Sequence, residues 1–86
     1  MSSYTEAIEK GARAKVLLED PLLLEVLAAY RDDLYKRWCS SEEEQERSDI
    51  WYEQRATNIL LLRLNVLVDN GRIAAEQLKE ADGQPA

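Results

Sequence analysis

Residues 59–71 read Ile59-Leu60-Leu61-Leu62-Arg63-Leu64-Asn65-Val66-Leu67-Val68-Asp69-Asn70-Gly71, or ILLLRLNVLVDNG. Two questions about this stretch decide the fold: which way its crowded apolar residues face, and whether a helix stops at Asn70-Gly71. Side chains on an α-helix step by about 100° per residue. On that wheel the segment 42–69 has one face with Ile50, Thr57, Leu60, Leu61, Leu64, Leu67 and Val68. A second apolar face holds Trp51, Tyr52, Ile59, Leu62 and Val66, and Arg63 and Asn65 fall in the gaps. Asparagine and glycine both tolerate the left-handed conformation that ends helices, so the helix is expected to stop at Asp69.

Working outward, nothing from Glu42 to Asp69 breaks a helix, which makes this one roughly 42 Å long at 1.5 Å per residue. Ser40 and Ser41 are each followed three residues later by glutamate, Glu43 and Glu44, the spacing of a capping box. Upstream, Asp20-Pro21 pairs a capping aspartate with a proline suited to the first helical position. A helix from Pro21 to about Cys39 follows, with Leu23, Leu27, Tyr30, Leu34 and Trp38 as its apolar stripe. Two helices joined so tightly must fold back on each other. The expected fold class is all-α: an antiparallel helical hairpin of about 21–39 and 42–69, with a short N-terminal and a short C-terminal helix.

The N-terminal helix, about Tyr4 to Glu19, begins at the box Ser3-Tyr4-Thr5-Glu6 and presents the small residues Ala7, Gly11 and Ala14, then Leu18. The C-terminal one, from Arg72 to about Glu80, is short enough to need docking. Residues 1–80 are expected to form one helical domain and 81–86 a disordered tail. A chain of 86 residues buries only roughly 60% of its unfolded surface, so the core is small.

A two-helix hairpin buries only one face of the 42–69 helix. Leaving Ile59, Leu62 and Val66 in water forfeits about 1.5 to 3 kcal/mol each. Either the N-terminal helix or another copy of the chain must cover them. The second copy is favoured, because the N-terminal helix offers mostly alanine and glycine, with Leu17 and Leu18 filling part of the need. Trp51, Tyr52, Ile59, Leu62 and Val66 are therefore the candidate interface, and a homodimer or higher homo-oligomer is the expected state. Within the hairpin, Arg31 falls inside the apolar arc and Glu53 on the facing helix, so a buried or half-buried Arg31–Glu53 ion pair that sets register is expected.

The chemistry points away from catalysis. With no histidine, the commonest general base and transition-metal ligand are both missing. Cys39, the single cysteine, sits at a helix C-terminus, where the dipole raises a thiol pKa, and reads as structural. The pairs Glu6/Glu9 and Glu43/Glu46 lack the Glu-x-x-His of di-iron bundles. There is no phosphate-binding glycine loop. No enzyme activity, cofactor or metal is expected. Seventeen acidic against eleven basic residues give a net charge of −6, which disfavours direct nucleic-acid binding. The apolar run is too short to cross a bilayer.

The order ARA, LL-x-D-P-L-L, an acidic serine-containing turn, a tryptophan before a leucine-rich helix, and D-N-G-R-I-A-A-E-Q-L spans Ala12 to Leu78. It resembles short acidic helical proteins encoded among the head-assembly and packaging genes of tailed bacteriophages and prophages. The resemblance implies a virion-assembly or accessory role, with another phage or host protein as partner; the single cysteine and an N-terminus without a signal-peptide pattern make the host cytoplasm, or the virion, the expected location. The resemblance assigns no residue a function. The alternative is a small acidic inhibitory module that blocks a host nucleic-acid-binding protein by presenting carboxylates in place of phosphates.

Overall fold

The computed structural model describes residues 3–83. They form three helices, α1 (Ser3–Glu19), α2 (Pro21–Ser40) and α3 (Glu44–Gly83), with no strand among the described residues. The all-helical class is as the sequence indicates. The first two helices have the expected bounds to within a residue; the number of helices and the extent of the third do not match.

A single residue separates α1 from α2. Asp20 is extended at φ −63° and ψ 122°, the conformation that a following proline imposes. Its carboxylate accepts from the amides of Leu22 at 2.8 Å and Leu23 at 3.2 Å, and Pro21 occupies the start of α2. Two donors that the new helix would leave orphaned are thereby satisfied.

At the other end of α2 the turn is Ser41-Glu42-Glu43, and the expected capping boxes do not form. Ser41 is buried; its Oγ lies 3.1 Å from the Glu43 carbonyl and 3.2 Å from the Glu46 carboxylate. The Ser41 carbonyl accepts from Arg47 Nε at 3.2 Å, and that guanidinium stacks over the Trp38 ring at 5.6 Å. A reversal three residues long is thus held by side chains from both helices.

α3 is one helix of 40 residues, about 60 Å at 1.5 Å per residue, in a molecule measuring 68 × 24 × 18 Å. The expected stop at Asn70-Gly71 is a correction: no glycine among the described residues has a positive φ. The helix runs through the expected C-terminal helix and on to Gly83, so residues 81–83, expected to be disordered, are helical. Residues 84–86 lie outside the described residues.

Gly71 serves packing. A Cβ built there would stand 2.9 Å from the Ala7 carbonyl oxygen and 3.1 Å from Gly11 Cα; one built on Gly11 would stand 2.8 Å from the Leu67 carbonyl oxygen and 3.0 Å from Gly71 Cα. Ala14 and Ala74 are buried with them. Small side chains on both helices let the backbones touch, and α1 against α3 is the most extensive packing in the molecule. Successively later residues of α1 meet earlier residues of α3, so the two run in opposite directions.

The inward stripe of α3 is continuous: Ile50, Glu53, Thr57, Leu61, Leu64, Val68, Gly71, Ala74 and Leu78 are buried or half-buried. α2 contributes Leu23, Leu27, Tyr30, Leu34 and Arg37. Among the described residues, the buried apolar side chains are Ala14, Leu34, Ile50 and Ala74. The core is a thin seam.

Candidate association face

α3 occupies α1 and α2 on one side, which leaves its opposite side open. Trp51 is 48% exposed, Tyr52 61%, Ile59 39%, Leu62 61% and Val66 47%. All five candidate interface residues therefore lie together on one uncovered face. α1 does not screen them, because it packs along the same inward stripe that α2 uses farther down.

The continuity of α3 adds a member the sequence reading missed. Ile73, 43% exposed, follows Ile59, Leu62, Val66 and Asp69 at steps of three, four, three and four. That spacing keeps a stripe on one side of a helix. The signal was present in the sequence; a stop placed at Gly71 assigned Ile73 to a different helix. Arg55 lies on the same stripe, its guanidinium 5.4 Å from the centre of the Trp51 ring. Trp51 and Tyr52 meet edge to face at 5.0 Å.

The stripe opens at one end onto the α2–α3 seam. A shallow groove lined by Trp51, Gln54, Asn58, Ile59 and Leu62 shares Trp51 and Gln54 with a second groove that reaches Tyr35 and Trp38. Trp38, expected in the core, is 40% exposed and sits under Arg47 instead. Tyr30 is half-buried in the seam as expected.

The seam itself carries a polar cluster that differs from the expected ion pair. Glu53 pairs with Arg37, at 2.9 Å, rather than with Arg31; Arg31 is exposed and donates to Asn58 Oδ1 at 3.4 Å. The Arg37 and Glu53 side chains are 41% and 42% exposed, so the pair is half-buried. Arg37 Nε also lies 3.2 Å from Asp33 without forming a hydrogen bond. The Tyr30 hydroxyl and the Arg37 guanidinium both donate to Glu53 and hold its carboxyl below the usual glutamate range. The same bond to Glu53 pushes the Tyr30 phenol up. Thr57 Oγ1 donates to the Glu53 carbonyl at 3.0 Å.

This cluster joins α2 to α3. Cys39 is exposed, and its hydrogen bond with Tyr35 raises the phenol. No three metal-ligating side chains gather among the described residues. No helix among them is long and apolar enough to cross a membrane. No protein-family profile, curated protein or solved structure matches this chain significantly.

Proposed function

We propose that this chain acts by protein–protein association and not by catalysis, self-associating through the outward face of α3 as an assembly or accessory protein of a tailed phage. The observation that supports association is the placement of Trp51, Tyr52, Ile59, Leu62 and Val66 in solvent on one face of a helix whose other face is already packed. An uncovered apolar row of this length marks an interaction site on a soluble protein. In this reading α2 and the first half of α3 form the antiparallel hairpin of residues 21–39 and 42–69, supported by the Arg37–Glu53 and Arg31–Asn58 contacts and by the buried pair Leu34 and Ile50.

The phage assignment rests on the order of residues between Ala12 and Leu78. Its test is co-sedimentation with assembling heads in infected cells, and absence from every assembly intermediate would count against it. The acidic inhibitory reading has less support. Asp32, Asp33, Glu53 and Glu76 are paired with Lys36, Arg37 and Arg72, which breaks up a phosphate-like row of carboxylates.

Light scattering across concentration tests self-association. The wild-type mass should exceed one chain at micromolar concentration. Leu62→Glu combined with Val66→Glu should yield a monomer that remains helical by circular dichroism. A wild-type chain that stays monomeric throughout would refute the proposal.

A further inference from the structure

We propose that the occupant of the outward face is the same face of a second copy, with the two α3 helices antiparallel about a two-fold axis beside Leu62. This rests on the self-association reading and adds to it the partner, the direction and the register.

The stripe is self-complementary about that point. Ile59 and Val66 lie three and four residues from Leu62, while Arg55 and Asp69 each lie seven residues away in opposite directions. A two-fold axis at Leu62 therefore stacks Leu62 on its own copy and sets Ile59 against Val66 of the partner subunit. It also places Arg55 opposite Asp69 of the partner subunit, twice. Trp51 and Tyr52 then reach Ile73 of the partner subunit. Each apolar residue meets an apolar one, and the two charges within the stripe meet their opposites.

A parallel pairing of the same faces fails this test. It would put Arg55 against Arg55 and Asp69 against Asp69, two like-charge contacts where the antiparallel pairing has two attractive ones. In the antiparallel pairing the two Arg63 side chains share one edge of the contact. Arg63 is exposed, and charges at such an edge are screened by water and salt. Asn58 and Asn65 of the two copies meet on the other edge, where amides hydrogen-bond without net charge.

Area supports a contact of this size. The chain exposes 7004 Å², whereas a compact monomer of its mass exposes about 5,200 Å². The excess, about 1,800 Å² per chain, is larger than the roughly 800 Å² per partner that a stable interface of ordinary size buries. A second apolar area, with Leu17, Leu60 and Leu67, lies off the stripe. It carries no such pairing of charges about its midpoint.

The test uses the full chain with Cys39→Ser. Leu62→Cys in this background should form a covalent dimer under mild air oxidation, since the axis brings position 62 of both copies together. Arg55→Glu, and separately Asp69→Arg, should each weaken dimerisation roughly tenfold at low salt. Combining Arg55→Glu with Asp69→Arg should restore it, because the swapped charges again oppose each other. A chain that dimerises without cross-linking at position 62 and without rescue by the double reversal overturns the antiparallel arrangement but leaves self-association standing. Dissociation by Leu60→Glu with no effect of Leu62→Glu places the contact on the other apolar area and also overturns it. A strictly monomeric chain removes both readings. Every position altered is solvent-exposed, and circular dichroism verifies that each variant remains helical.

Discussion

Glu53 occupies a place in the seam where a leucine would ordinarily sit, and its environment makes stability depend on acid. Hydrogen bonds from Tyr30 and Arg37 favour its charged form, so its folded pKa lies below the unfolded value. The contribution is full above the unfolded glutamate pKa and disappears as pH falls through the lowered folded one. Urea denaturation should therefore show stability declining through that acidic window, and Glu53→Gln should flatten the decline. An unchanged slope would mean that Glu53 is equally solvated in both states. The same neighbourhood shows where sequence reading fails at single positions. Arg37 and Trp38 each stand about 50° from the centre of the α2 stripe, on opposite sides. Hydrophobicity favoured Trp38, but the facing helix supplies Glu53 on one side and Arg47 on the other, and those two partners pull Arg37 inward and leave Trp38 at the rim. The ion partner of Glu53 changed with it, from Arg31 to Arg37.

Elements were legible where a cap or a stripe is local. Asp20-Pro21 separates α1 from α2 because aspartate and proline act on their immediate neighbours, and Asp20→Ala should destabilise the fold by about 1 kcal/mol, read from the denaturation midpoint. Asn70-Gly71 was not legible from its own surroundings, since the same dipeptide suits a helix end and a close helix crossing. The deciding information lies more than fifty residues upstream, in the small residues Ala7, Gly11 and Ala14 that α1 sets against Gly71 and Ala74. Gly71→Ala separates these two roles. Helix propensity alone would stabilise by about 1 kcal/mol, whereas a methyl against two backbone atoms of α1 costs about 1 to 3 kcal/mol. The clash should prevail: hydrogen exchange should show α1 losing protection while α3 keeps its own. Increased overall stability would show that the helices can part freely.

For the whole molecule, the second apolar face of α3 was anticipated from periodicity because amphipathic sorting needs only the helix itself, whereas its lying uncovered depends on where α1 packs. Its full length was not, because the false stop cut Ile73 away. The seam is thin, with four buried apolar residues among those described, and a chain this short has a small core. The proposed association with a second copy should add stability by mass action, so the melting temperature should rise with protein concentration. A melting temperature independent of concentration over two decades would place the stability within one chain. The Leu62→Glu and Val66→Glu double variant should melt lower, at a temperature that does not vary with dilution.

The one-residue link at Asp20 gives the two kinds of helix contact different laws. α1 is tethered beside its place on α3, so its docking is governed by an effective concentration fixed by the covalent chain, which for so short a connection is on the order of millimolar or higher. A contact between copies is governed by the bulk concentration instead. In the proposed dimer, dilution should therefore free the outward face of α3 while α1 remains in place, and hydrogen exchange at two concentrations would resolve the molecule into a part that ignores its neighbours and a part that counts them.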